Sequence, residues 1–399
     1  MRFISGGVTA ATGFVAAGAS AGIKRSRKPD LSLVMAKQPA VCAAVFTRNR
    51  VKAPPVLISQ QRAKRGIARG VLLNSGCANC MTGEVGFRDA RALSRQVAGL
   101  AGVAERDVLI ASTGIIGRRL PVPRIQRALP ALVKRLRKAG HAEAAAGILT
   151  TDTMAKEAAV EARINGRLCR LGGMAKGAGM VAPSMATMLC VLTTDVAVEA
   201  SLLRMLLRDV VEQTFNRISV DGDMSTNDTV FLLASGQSGV RVRQGTPVER
   251  TVRQMLFAVS QRLAHLLVKD GEGATRVATI HVQGAKTEQQ AHACARQIAT
   301  SSLVQTMLAS GDPNVGRIAA AAGASGAWFN PDKLEIHIGG TPVVAHGVAR
   351  RIGKELAKRI LGTPEVSIEI SLHAGRAEAQ MLACDLTKEY VHINAHYTT

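Results

Sequence analysis

The stretch Lys176-Gly-Ala-Gly-Met-Val-Ala-Pro-Ser-Met-Ala-Thr187-Met-Leu decides the reading of this chain. One small residue, Ala186, stands before one hydroxyl residue, Thr187. A glycine-rich loop with a proline leads in, and an apolar run, Met188 to Leu192, follows. A chain that cuts itself at Ala186–Thr187 has this form. The Thr187 hydroxyl could attack the preceding carbonyl, form an ester and lose it to water. Thr187 would then carry a free α-amino group, whose reference pKa is roughly 7.7–8.0. Such an amine can act as general base for its own hydroxyl, so the stretch points to acyl transfer without a histidine. Taken alone, Gly-Ala-Gly followed by Pro is also an ordinary turn before a buried strand, because a glycine-rich loop is a weak signal.

Composition bounds the rest. A length of 399 residues allows two or three domains of ordinary size. Hydrophobic residues are 47% and charged residues 20%, enough for a sizeable core without disorder. Aromatics are only 3%, so Leu, Ile, Val, Met and Ala must fill that core. No apolar run approaches the roughly 20 residues of a membrane helix, and the first residues lack the order of a signal peptide. A cytoplasmic chain with no membrane partner is the expectation. Seven scattered Cys fit a reducing compartment. Cys77-Ala-Asn-Cys80 has no second pair at zinc-ligand spacing, so structural thiols are expected and no metal.

The net charge of +22 is lopsided. Residues 1–186 hold 30 Lys and Arg against 9 Asp and Glu, and the remainder holds 21 against 20. The split falls at the proposed cut. A basic half can attract nucleic acid or acidic metabolites. Its Lys and Arg lie instead in helix-like stretches such as Val133–Lys138, without aromatics for base stacking. A solvated basic face is expected, not a nucleic-acid interface.

Apolar runs alternate with helical periods throughout. Strands are predicted at Val41–Phe46, Gly70–Leu73, Val108–Ala111, Met188–Thr194, Val230–Ala234, Ala278–Val282, Leu334–Ile338 and Val366–Leu372. Helices are predicted at Phe87–Leu100, Arg124–Ala139, Glu199–Phe215, Val248–Val268, Thr287–Met307 and Val344–Leu361. Leu202, Leu203, Leu206, Leu207 and Val210 recur at helical spacing and mark a buried face. Pro313 suits the first turn of a helix over Val315–Ala322. The fold class is α/β, an α+β sandwich of layered sheets flanked by helices. The polar stretch Gly284–Gln290 is the best boundary inside the second half.

Several turns could carry chemistry. Thr113 and Gly114, in Ala111-Ser-Thr-Gly-Ile-Ile-Gly117, could aim a hydroxyl and an amide at a developing oxyanion, each worth roughly 3–4 kcal/mol; taken alone, a strand-ending turn accounts for them better. Asn74-Ser-Gly-Cys-Ala-Asn79 is a second such turn. Asp221-Gly-Asp-Met-Ser-Thr-Asn-Asp228 looks like a calcium loop but lacks the closing glutamate, so Thr226 and Asn227 could form a turn close to the nucleophile. Glu272, in Lys269-Asp-Gly-Glu-Gly-Ala-Thr, sits in a glycine turn and would suit a substrate ammonium. Tyr390–Thr399 alternates like a strand and ends on polar residues. His373, His392 and His396 are expected to be structural.

Taken together, these segments resemble the ornithine acetyltransferase family, also called glutamate N-acetyltransferase. The match runs nearly end to end, through Gly7-Val-Thr, Asn74-Ser-Gly, Ser112-Thr-Gly, Thr150-Thr-Asp-Thr153, Lys176-Gly and Met185-Ala-Thr-Met-Leu. It continues through Val220-Asp-Gly-Asp, Ser225-Thr-Asn-Asp-Thr, Lys269-Asp-Gly-Glu-Gly-Ala-Thr, Asp312-Pro-Asn, Cys384-Asp-Leu-Thr and Tyr390-Val-His-Ile-Asn-Ala. The resemblance implies a fold of the self-processing kind and cleavage into an α chain, 1–186, and a β chain, 187–399, which would pair as α2β2. A smaller C-terminal subdomain from about 285 is a further expectation. It implies that Thr187 takes acetyl from N2-acetylornithine and passes it to glutamate. Thr113 and Gly114 match the oxyanion hole, and Thr153, Lys176, Thr187, Glu272, Asn394 and Thr399 match the substrate-binding residues. No metal or nucleotide cofactor is implied; acetyl-CoA could be a co-substrate. Rival readings are a self-cut amidase or aminopeptidase, and a basic binding protein on a retired enzyme scaffold. Cys77, Val315 and Leu382-Ala383 depart from the family's usual Asn, Trp and Trp-Gly and look like packing positions.

Overall fold

A computed structural model describes residues 1–182 and 188–396. Ala186 and Thr187, and Thr399 at the other end, therefore lie outside the described residues. Within them the chain is an α/β layered structure with two sheets, as expected.

The first sheet has nine strands. Its order is Arg2–Ile4, Lys156–Ile164, Arg167–Lys176, Leu189–Thr194, Thr229–Ala234, Leu31–Phe46, Ile67–Asn74 and Val108–Ser112, with Phe14–Ala19 also paired to Leu31–Phe46. The long strand has three neighbours, and its register against Ile67–Asn74 shifts between Met35 and Ala40. Its first part pairs with Phe14–Ala19 and its last part with Thr229–Ala234. The second sheet has seven strands, ordered Val348–Ala349, Thr341–Ala345, Glu335–Ile338, Glu365–Ser371, Val277–Ala285, Ala377–Cys384 and Ile218–Ser219.

Helices Ala200–Gln213 and Pro247–Lys269 tie the layers together. Leu202, Leu203, Leu206, Leu207 and Val210 are buried as the periodicity predicts. They join Val252, Leu256, Leu263 and Leu267 in one core with strand residues Val160, Leu171 and Leu192 of the first sheet and Val277 and Cys384 of the second. Each such side chain contributes roughly 1.5–3 kcal/mol of transfer free energy. The long helix starts sharply because Thr246 accepts from the Glu249 N–H, Pro247 holds the first turn, and Glu249 reaches back to the Gly245 N–H at 2.6 Å.

Three expectations need correction. The helix predicted over Thr287–Met307 is two, Glu288–Ala299 and Ser302–Ser310, because the Ser301 hydroxyl caps a new start at the Val304 N–H. The first part of Val344–Leu361 belongs to a hairpin. Strands Thr341–Ala345 and Val348–Ala349 meet at His346-Gly347, both with positive φ, and the helix covers only Lys354–Leu361. The alternation after Tyr390 belongs to a helix, Lys388–Ala395. The Val315–Gly323 helix also begins just beyond Pro313. Several strands went unpredicted, among them Phe14–Ala19, Ala377–Cys384 and the pair Lys156–Ile164 and Arg167–Lys176. That last pair turns at Asn165-Gly166 with φ of 50° and 76°, and Asn-Gly is a strong hairpin signal. Gly284–Gln290 is the strand-to-helix turn after Val277–Ala285.

Candidate active site

Strand ends and the loops that follow them bring chemistry to one place. Ile67–Asn74 and Val108–Ser112 run parallel, so their following loops lie side by side. Gly114 has φ +127°, and a Cβ there would stand 2.4 Å from the Gly76 carbonyl carbon. Only glycine lets the two loops touch backbone to backbone. The Thr113 N–H donates to the Asn74 carbonyl at 3.0 Å, and the Ser112 hydroxyl to Asn74 Oδ1 at 2.6 Å. Asn227 Nδ2 clamps both loops from outside, donating to the Ala78 and Ser112 carbonyls at 2.7 and 2.8 Å. Thr113 and Gly114 are thereby fixed at the wall of a cavity of about 140 Å3.

Lys176, Glu272, Asn394 and Thr226 line the same cavity. Lys176 ends its strand fully buried, and its Nζ donates to Thr150 Oγ1 at 2.7 Å and Thr113 Oγ1 at 3.5 Å. Burial pushes its ammonium down, while Asp152 pulls the other way. Asp152 Oδ2 lies 3.8 Å from that Nζ, and Asp152 Oδ1 accepts from the Gly177 N–H at 2.7 Å. Burial alone would raise the Asp152 carboxyl, but Lys176 and Lys156 hold it below the usual carboxylate range. Lys156, wholly buried, bridges Asp152 at 2.6 Å and Asp270 at 2.5 Å. A buried ammonium so paired is a rigid strut rather than a reactive group.

Glu272 sits across the cavity. Its Oε2 accepts from Asn394 Nδ2 at 2.7 Å, and its N–H donates to the Ala178 carbonyl at 2.9 Å. Gly179 makes room for it, since a Cβ there would stand 2.4 Å from Glu272 Oε2. The helix carrying Asn394 is held to the same turn by Thr387 Oγ1, which donates to the Gly273 carbonyl at 2.8 Å.

Two acids from the calcium-like loop hold backbone on either side of residues 183–187. Asp221 accepts from the N–H groups of Met180 at 2.5 Å and Val181 at 2.9 Å, and from the Tyr390 hydroxyl at 3.2 Å. Asp228 Oδ1 accepts from the Met188 N–H at 3.1 Å. That loop therefore works as backbone anchorage. Among the described residues no cluster of His, Cys, Asp and Glu is arranged to hold a metal ion.

The cavity thus gathers Thr113, Gly114, Lys176, Glu272 and Asn394 of the expected residues. Thr153 does not line it; its N–H and hydroxyl are turned to the Asp270 carboxylate. Thr150, Ser225 and the Asp152–Lys156–Asp270 chain were not assigned roles from sequence. Asp152 and Lys156 show an i,i+4 acid–base spacing, but nothing local says that both are buried.

A buried ammonium beside a hydroxyl, facing a carboxylate over a small cavity, suits an enzyme that transfers acyl groups. The chain matches the family model described as the ArgJ family over residues 15–399. It is 41% identical over 404 residues to the arginine biosynthesis bifunctional protein ArgJ of Caldanaerobacter subterraneus subsp. tengcongensis, covering 100% of both chains. It is 43% identical over 415 residues to the glutamate N-acetyltransferase of Methanocaldococcus jannaschii, again over 100% of both. The crystal structure of arginine biosynthesis bifunctional protein ArgJ from Bacillus halodurans matches with TM-score 0.50 at 36% identity, covering 51% of this chain and 97% of that one. The chain belongs to the ArgJ family and is an enzyme of arginine biosynthesis. Among the described residues no helix is long and apolar enough to cross a membrane.

Proposed function

We propose that this chain cuts itself between Ala186 and Thr187, and that Thr187 then carries acetyl from N2-acetyl-L-ornithine to L-glutamate. The products are L-ornithine and N-acetyl-L-glutamate. The observation that carries this reading is the convergence of Thr113, Gly114, Lys176, Glu272 and Asn394 on one cavity. The backbone on each side of residues 183–187 is anchored beside it. The B. halodurans chain, matched by half of this one, has the length that a cut near the middle would leave.

The chemistry follows from charge and position. The Thr187 hydroxyl attacks the acetyl carbonyl of the donor, and its own α-amine takes the proton. The Thr113 hydroxyl and Gly114 N–H stabilise the oxyanion, at about 3 kcal/mol each. Lys176 touches Thr113, so its charge reaches the oxyanion site as well as a substrate carboxylate. Glu272 receives the ornithine ammonium, and Asn394 steers its carboxylate. Thr153 and Thr399 complete the substrate site. Ornithine leaves, glutamate enters, and the acetyl ester passes to its amine. A small cavity limits the water that reaches that ester in the interval. No metal or nucleotide cofactor enters this scheme.

The two pieces, 1–186 and 187–399, stay together and pair as α2β2, with N-acetylornithine and glutamate as small-molecule partners. We place the enzyme in the cytoplasm, in keeping with seven cysteines that are all buried and unpaired. A second reading adds acetyl-CoA as donor, favoured by the bifunctional name of the C. subterraneus relative. The test is transfer itself. Enzyme with N-acetylornithine and glutamate should yield N-acetylglutamate with ping-pong kinetics. Release of free acetate alone would make it an amidase. Acetylation of glutamate by acetyl-CoA without N-acetylornithine decides the second reading.

A further inference from the structure

Asp228 is wholly buried at the start of strand Thr229–Ala234, and the acetyl transfer described above does not use it. Its Oδ1 accepts from the Met188 N–H at 3.1 Å. Among the described residues its Oδ2 has no hydrogen-bond partner. A buried carboxyl oxygen without a partner is costly and calls for an explanation. Its position along the chain supplies one. Met188 directly follows Thr187 in the sequence, so the Asp228 carboxyl holds the N–H one residue past the proposed cut. The Thr187 nitrogen is the leaving group of that cut.

We propose that Asp228 is the general acid of self-cleavage, giving its proton to the Thr187 nitrogen as the Ala186–Thr187 peptide bond breaks. The inference rests on Thr187 being the self-made nucleophile. The Thr187 oxygen bonds to the Ala186 carbonyl carbon, and the bond from that carbon to the Thr187 nitrogen breaks. The nitrogen takes the Asp228 proton and becomes the free amine. The hydroxyl proton returns to the Asp228 carboxylate. Water then adds across the ester, leaving the Ala186 carboxylate and the Thr187 hydroxyl. Thr113 and Gly114 serve the oxyanion of this step as they serve the later one.

The surroundings suit an acid kept protonated. Burial pushes the Asp228 carboxyl well above its usual range. The Met188 N–H, Ser225 and the Lys176 ammonium pull the other way. Lys176 is itself drawn to Asp152 and Glu272 as well as to Asp228, so its charge is largely answered elsewhere. A neutral carboxyl on the Met188 N–H has its second oxygen free to donate.

The test follows cleavage of the full chain made by cell-free translation, by intact mass over time and across pH. Asp228→Asn keeps an acceptor for the Met188 N–H and removes the proton. The expected result is cleavage at least tenfold slower, in a variant with wild-type circular dichroism. Wild-type cleavage should slow as pH rises through the elevated Asp228 pKa, and the variant should lose that limb. Asp228→Glu, which restores an acid, should recover part of the rate if Asn disturbs folding. Wild-type rates in Asp228→Asn, or a slow variant with the same pH profile, would overturn the proposal. A wild-type chain that never cuts would remove the nucleophile reading itself, a different failure from an uncut Asp228→Asn beside a cut wild type.

Discussion

Asn394 Nδ2 donates to Glu272 Oε2 at 2.7 Å, joining the last helix to a turn 122 residues earlier. The contact makes the C-terminal helix part of the substrate site. None of that helix's residues is buried, so polar contacts of this kind hold it in place. Glu272→Gln should raise KM for N-acetylornithine, because a charged hydrogen bond of about 1.5–3 kcal/mol is lost. That is about 10- to 150-fold in kcat/KM. Asn394→Ala should cost less, leaving the charge but not its aim. Steady-state kinetics on both variants measure this, and an unchanged KM in Glu272→Gln would contradict it.

Gly114→Ala should abolish transfer. Its φ of +127° is foreign to alanine, and the added Cβ would meet the Gly76 backbone at 2.4 Å. The two loops must part, taking the Gly114 N–H and the Thr113 hydroxyl with them. One displaced donor alone costs about 10²–10³ in kcat. Activity within tenfold of wild type would show that these donors do not face the oxyanion.

Lys156 is a structural prediction. It lies between the Asp152 and Asp270 carboxylates with no exposure. Lys156→Met should destabilise the protein by about 3–5 kcal/mol, because two buried carboxylates lose their cation. Urea denaturation measures the loss. A midpoint equal to wild type would mean that the strut carries no load.

Asp152 sets a limit in acid. Its carboxyl is held low in the folded state, so its contribution is present above the unfolded value of about 3.9. It is lost as pH falls below that value toward the folded pKa. Below about pH 4, wild-type stability should fall more steeply with pH than that of Asp152→Asn. Parallel slopes would contradict the assignment.

Thr113-Gly114, Lys176 and Glu272 were legible in the sequence because each lies in a short motif next to a strand or glycine turn. The cavity that unites them was not, since it depends on pairing between segments far apart. Asp152, Lys156 and Asp270 look like surface charges until the fold buries them together. Asp228 was read within a calcium-like pattern, whereas its work is on the Met188 backbone. The hairpin at Asn165-Gly166 was there to be read, but the small and charged residues around it weakened the strand alternation. The region 344–361 misled for a related reason. Its apolar spacing fits a helix, and His346-Gly347 reverses the chain only because both residues take positive φ. The C-terminal alternation failed because Lys388–Ala395 packs no apolar face, so periodicity carried no burial signal.

The most direct measurement is the intact mass of the purified protein beside Thr187→Ala, both denatured. The account predicts two fragments meeting at Ala186 and Thr187 in the wild type and one whole chain in the variant. A single uncut chain in the wild type would contradict it, because Thr187 would then have no α-amine to serve as its base.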